Sequence, residues 1–187
     1  TIEERDIDSI IKTGRSDNLI EATSDSNYAV MHSDISFICV GTPNSRSGHL
    51  ELQAIYSVAE SIGKALKSKD GYHVIVVRST VLPGTNHKIG SIIEEQSGKT
   101  CNKDFAIVSN PEFLREGTAV KDFFSPPYTV LASDDDKAIS MLNKLYKDIK
   151  GEIIVTDIQI AEMIKLVNNS FHALKVSFAN EIGRICN

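Results

Sequence analysis

The sequence predicts an α/β chain, a doubly wound parallel sheet followed by one long helix, on three observations. Five short apolar runs rich in β-branched residues lack the polar-apolar alternation of a half-exposed strand. Stretches with apolar residues three and four apart separate them. From about Asp157 onward the same three-four spacing continues to the end with no breaker.

The first run, Asp34 to Val40, ends at Gly41-Thr42-Pro43 and reads as a buried strand and a turn, with Cys39 in the core. A polar loop, Asn44 to His49, follows. Between Glu51 and Lys69 the residues Leu52, Ile55, Val58, Ala59, Ile62, Ala65 and Leu66 mark one face of an amphipathic helix. The unit repeats: Val74 to Val77 is an apolar strand, Pro83-Gly84 a breaker, and Thr85 the N-cap of a helix reaching about Gln96. Phe105 to Val108 makes a third strand, ending at Asn110-Pro111. Tyr128 to Ala132 makes a fourth after Pro126-Pro127, and a helix through Met141, Leu142 and Leu145 leads to a fifth, Ile153 to Val155. The last segment carries Ile160, Met163, Ile164, Val167, Phe171, Leu174, Phe178, Ile182 and Ile185 at helical spacing, as one helix leaving the sheet. The expected division falls between residues 1–155 and 156–187.

Composition limits what such a chain does. At 187 residues, 41% apolar and 24% charged, it holds one domain, or one and part of a second, and buries a core. Twenty Lys and Arg against 25 Asp and Glu give a net charge of -5, so no overall positive field draws in nucleic acid or anionic lipid. No apolar stretch reaches the roughly 18 to 20 residues of a membrane span, and Thr1-Ile2-Glu3-Glu4-Arg5 is too charged for a signal peptide. Cys39, Cys101 and Cys186 show neither disulfide nor metal-ligand spacing, and His32, His49, His73 and His87 share none either. A reducing cytoplasm fits. There is no initial Met, and helical periodicity persists from Phe178 to the final Asn187, so the expectation is a fragment.

Ligands of open α/β sheets bind beyond the carboxyl ends of the strands. Three strand ends carry suggestive residues: Gly41-Thr42-Pro43, Ser79 to Thr85, and Asn110 to Gly117. Ser79 and Thr80 offer hydroxyls before a helix N-terminus; they suit a polar ligand, or equally a turn and cap. Glu112 and Glu116 stand four apart, so a continuing helix sets both carboxylates on one face, as an acid-base pair or as a solvated first turn. On the long helix, Lys165, Asn169 and His172 fall at i, i+4 and i+7. A lysine ammonium stabilises an oxyanion and an asparagine amide orients it, although a solvated face has the same spacing. The poor helix formers Asn168, Asn169 and Ser170 in mid-helix favour a functional reason.

Three segments in order, Phe37 to Pro43, Val77 to Thr85 and Asn110 to Ala119, resemble the nucleotide-sugar dehydrogenases, which oxidise the C6 alcohol of a sugar nucleotide to the carboxylate with two NAD. The match covers almost all of this chain and less than half of a full family member. Ser125 to Val130 and Phe171 to Gly183 look more like GDP-mannose 6-dehydrogenases than UDP-glucose enzymes. The resemblance implies a partial Rossmann-like NAD domain over residues 1–155, without its first βαβ unit, and the start of a central helical, dimer-forming domain over 156–187. It assigns Thr42, Pro43, Ser79, Thr80 and Glu116 to NAD. Thr80, Glu112 and Glu116 become residues for water and proton transfer, with Lys165 and Asn169 stabilising the oxyanion. Glu112, Phe113, Leu114, Arg115, Lys165, Asn169, His172, Lys175 and Asn180 then meet the sugar nucleotide. A cytoplasmic homodimer serving polysaccharide biosynthesis is implied for the whole protein.

Two family features are missing from the sequence: the G-x-G-x-x-G turn with its acidic residue about 20 positions on, and the catalytic cysteine of a C-terminal domain, which carries the thioester. The chain alone is therefore expected to be inactive. β-Hydroxyacid dehydrogenases share the Ser-Thr turn and the Lys-x-x-x-Asn helix but have no reason to carry Asn110 to Gly117. A non-catalytic nucleotide-binding module is the alternative from another class.

Overall fold

The computed structural model describes residue 4 and residues 6–186. Apart from Glu4, the charged opening Thr1 to Arg5 lies outside them, as does Asn187. In order the elements are α1 (Ile7–Ser16), α2 (Ser26–Met31), β1 (Ile35–Ile38), α3 (Gln53–Leu66), β2 (His73–Val77), α4 (Thr85–Ser97), β3 (Phe105–Ser109), α5 (Ala119–Phe124), β4 (Tyr128–Leu131), α6 (Asp136–Leu145), β5 (Glu152–Val155) and α7 (Ile158–Cys186).

The strands β1, β2 and β3 form a parallel sheet in that order, and β4 pairs with β5 in parallel. A single antiparallel bridge, Ser109 with Ala132, joins the two pieces. Every residue of β2 and β3 is buried. Both sheet faces are apolar because both are covered. Ile75, Val77, Phe105 and Ile107 pack with Ile55, Ala59 and Leu66 of α3 and Ile89 and Ile93 of α4. On the opposite face Val74, Val76, Ala106 and Val108 pack with Ala138 and Leu142 of α6. Gly63 permits the close crossing of α3 and α4, since a Cβ there would stand 2.7 Å from Gln96 Cβ.

Three expectations need correction. Thr85 is not the N-cap of α4: Gly84 occupies that place with φ 94°, and the Thr85 hydroxyl donates instead to the carbonyl of Leu82 at 2.6 Å. Cys39 is exposed rather than core, because β1 stops at Ile38 and the chain turns away. No helix begins at Glu112; residues 110–118 form a loop, so Glu112 and Glu116 do not share a helical face. Helices α1, α2 and α5 are elements that the strand-helix pattern does not announce: α2 and α5 are six residues each, too short for a period to show, and α1 carries its apolar residues only at Ile7, Ile10 and Ile11. α2 still has a clear sequence cause, Asp25 accepting from the N–H groups of Asn27 and Tyr28.

Helix α7 divides into two parts. Its first turns dock on the sheet, with Ile158 and Ala161 packed against Val130 and Ala132. Beyond Leu166 the helix projects with its side chains exposed, including Phe171, Leu174 and Phe178.

Candidate active site

The carboxyl ends of β2 and β3, the loop after β3, and the stretch of α7 where it leaves the sheet enclose a cleft of about 530 Å³. It is lined by Glu112, Phe113, Leu114 and Arg115 from the loop and by Lys165, Asn169 and His172 from α7. Seven residues singled out in the sequence are thus brought together. Glu116 is exposed and lies outside this lining, as do Lys175 and Asn180 farther along α7.

The centre of the cleft is Lys165. Its ammonium donates to the carbonyl of Glu112 at 2.5 Å and stands 3.2 Å from the carboxylate of the same residue. The lysine side chain is only 9% exposed, so the pair works in a medium poorer in water than bulk and its attraction is stronger for it. Glu112 uses its second oxygen to accept from the N–H of Leu114 at 2.7 Å, which folds the loop back on itself. Phe113 lies 5.4 Å from the ammonium and packs edge-on against Tyr128. The loop's far side is tied to α5: Arg115 Nε and Nη2 both donate to Asp122, which also accepts from the Thr118 hydroxyl. That fork holds the Asp122 carboxyl well below the usual carboxylate range.

The floor contains residues that the sequence did not announce. Arg78, directly before Ser79, donates through Nη1 to Asn110 Oδ1 at 2.8 Å and to the Tyr146 hydroxyl at 2.9 Å. Tyr146 in turn donates to Asn110 Oδ1 at 2.6 Å, and the Asn110 amide donates to the carbonyl of Val130. Burial pushes the Tyr146 hydroxyl up from its ordinary value. A guanidinium right after the apolar run Val74 to Val77 is the one signal that marked this network. Tyr146 reads in the sequence as an ordinary helix end.

The second cluster lies at the ends of β1 and β2. The Thr42 hydroxyl donates to the carbonyl of Thr80 at 2.9 Å, and that of Ser79 to the carbonyl of Val40 at 2.7 Å, so the two turns are joined through backbone acceptors. Pro43 is exposed beside them. Each hydroxyl spends its one hydrogen on a backbone carbonyl and retains acceptor lone pairs. Glu162, one turn before Lys165, is buried, which the sequence reading missed although it shares the docked face with Ile158 and Ala161.

Residues 1–150 match the model of the UDP-glucose/GDP-mannose dehydrogenase family NAD binding domain, and residues 159–187 match that family's central domain. The chain belongs to the UDP-glucose/GDP-mannose dehydrogenase family. It is 45% identical to a GDP-mannose 6-dehydrogenase of Pseudomonas aeruginosa over 185 residues, 98% of this chain and 42% of that protein. It is 40% identical to a UDP-glucose 6-dehydrogenase of Haloferax volcanii over 173 residues, 89% of this chain and 40% of the relative. Among solved structures, the ternary complex of the Pseudomonas aeruginosa GDP-mannose dehydrogenase matches with a TM-score of 0.95 and 44% identity, over 97% of this chain and 42% of that one. A UDP-glucose dehydrogenase of Pyrobaculum islandicum matches with a TM-score of 0.92 and 36% identity, over the same shares of the two chains. The chain thus spans about two fifths of the length of these family members. Membership answers the β-hydroxyacid alternative, and the Rossmann-like fold that the resemblance implied is the family's. Among the described residues no helix is long and apolar enough to cross a membrane.

Proposed function

We propose that this chain is the cofactor-binding part, residues 1–155, and the first central-domain helix, residues 156–187, of a cytoplasmic, homodimeric nucleotide-sugar 6-dehydrogenase acting on GDP-mannose. The observation that carries this reading is the cleft itself, in which Lys165, Glu112, Asn169 and the loop Phe113 to Arg115 face one space. GDP-mannose is favoured over UDP-glucose by the nearer identity to GDP-mannose 6-dehydrogenases, 45% against 40%.

The strand-end hydroxyls suit a dinucleotide: Thr42, Ser79 and Thr80 stand at the carboxyl ends of parallel strands, where such ligands bind. They would hold NAD with Pro43, and the exposed Glu116 is proposed on its flank. When bound, NAD supplies the acceptor for the hydride leaving C6. A pyrophosphate cradle of the G-x-G-x-x-G kind is not among these 187 residues, so the chain contributes one side of the cofactor site.

The chemistry asked of this chain is electrostatic and acid-base. Oxidising an alcohol carbon concentrates negative charge on its oxygen, and the Lys165 ammonium, held by Glu112, is a fixed cation for it. Asn169, one turn on, orients the same oxygen. The Glu112 carboxylate takes the alcohol proton or positions water, with Thr80 and Glu116 assisting. The second oxidation passes through a thioester on a cysteine outside this chain. His172 lines the sugar-nucleotide side, and Lys175 and Asn180 extend it along the helix.

The test is turnover by the full-length protein with NAD and purified sugar nucleotides. Production of GDP-mannuronate with two NADH per sugar supports the proposal. Oxidation of UDP-glucose alone moves the assignment to the other branch of the family, and turnover of neither overturns it.

A further inference from the structure

The carboxylate of Glu162 performs a task that no residue in the proposed chemistry covers. Glu162 is 2% exposed and lies in the docked part of α7, three residues before Lys165. Its Oε2 accepts from the N–H of Gly84 at 2.6 Å. Its Oε1 accepts from the N–H of Asn86 at 2.8 Å and from the Asn86 side-chain amide at 2.6 Å. Two of the free N–H groups at the start of α4 are thereby satisfied by a side chain from another helix, at the end where the helix dipole favours negative charge.

The location of this clasp gives it consequence. Gly84 closes the turn that begins with Ser79 and Thr80, at the end of β2. One helical turn beyond Glu162, Lys165 grips the loop after β3 through Glu112. Helix α7 is thus fastened at successive turns to two different strand ends. The separation between the Thr80 turn and the Lys165 ammonium is set by the rise of one rigid helix.

We infer that Glu162 is a positioning residue for the dehydrogenase reaction, holding α7 on the start of α4 so that Lys165 and Asn169 keep register with the Ser79–Thr80 turn. The inference rests on the reading of the cleft as a sugar-nucleotide dehydrogenase site. Its energetic logic is geometric: a carboxylate buried only to stabilise the fold would make no demand on the alignment of two reacting groups, whereas a shift of about 1 Å between such groups costs up to about a hundredfold in rate.

The test uses the full-length enzyme. Glu162→Gln keeps the shape but turns one acceptor oxygen into a donor that faces an N–H group. Its kcat for sugar-nucleotide oxidation is expected to fall about 10- to 100-fold, while KM for NAD and for the sugar nucleotide changes less than about threefold. The amides of Gly84 and Asn86 exchange faster than in wild type. Ile62→Val, a core change in α3 away from the cleft, serves as the control for lost stability and leaves kcat unchanged. An unchanged kcat in Glu162→Gln, or a fall no larger than that of Ile62→Val, overturns the inference. If Glu162→Gln does not fold, Asn86→Ala, which removes one of the three bonds, takes its place: a lowered kcat with KM retained supports the inference and an unchanged kcat overturns it. A wild-type enzyme that turns over no sugar nucleotide instead overturns the functional reading on which the inference stands.

Discussion

Lys165 and Glu112 are joined twice, through the lysine ammonium and the glutamate's backbone carbonyl at 2.5 Å and again through its carboxylate at 3.2 Å. The first contact seats the ammonium; the second sets a carboxylate beside it whose other oxygen accepts from the N–H of Leu114. The carboxylate offsets part of the ammonium's field, so a substrate oxygen that gains negative charge in the cleft competes with Glu112 for the same cation.

Replacing Lys165 with Met in the full-length enzyme therefore removes the charge while retaining much of the stem. We expect kcat to fall about a hundredfold or more, the size of a lost oxyanion donor, with NAD affinity retained. Steady-state kinetics together with a cofactor titration check it, and unchanged turnover would show the lysine to be structural.

Asp122 acts on the cleft from a distance. It accepts the Arg115 fork, the Arg115 N–H and the Thr118 hydroxyl, so it shapes the loop that carries Phe113 and Leu114. Asp122→Asn is expected to raise KM for the sugar nucleotide several-fold, with a melting temperature close to wild type, because the contact is exposed on the arginine side. Limited proteolysis should cut first within residues 112–118.

His73 makes stability depend on pH. Its ring is fully buried against Ser36, at 2.8 Å from the hydroxyl, and burial, with the nearby Lys69 ammonium, lowers its pKa from 6.5 to about 4. The unfolded chain then binds the proton more readily than the folded one. The stabilisation is complete above about pH 6.5 and is lost as pH falls toward 4, with a slope of at most about 1.4 kcal/mol per pH unit. Urea denaturation across that window should show the slope, and His73→Gln should flatten it.

The 187-residue chain on its own is expected to form no NADH from NAD and GDP-mannose. None of its three cysteines lines the cleft, and its sequence has no glycine-rich cradle. Measurable turnover by the isolated chain would refute that expectation.

The central strands and the long helix were legible because burial on both faces forces continuous apolar runs, and a docked helix forces a three-four stripe. Lys165, Asn169 and His172 could be found by spacing alone, since one helix sets their common face. Glu112 and Glu116 could not be related in the same way: a loop has no period, and it turned one carboxylate into the cleft and the other to solvent. Arg78, Tyr146 and Glu162 were invisible as a group, because their partners lie 32, 36 and 76 or more residues away.

By itself, then, the sequence determined the α/β class, the order of most elements, and the short motifs that mark the family, since each depends on residues near one another in the chain. Only the tertiary structure decided which strand-end turn meets which face of α7. The reason is physical: the bonds that set that meeting, Glu162 to Gly84 and Asn86 and Lys165 to Glu112, join groups 78, 76 and 53 residues apart in the chain, a separation at which no local pattern pairs them.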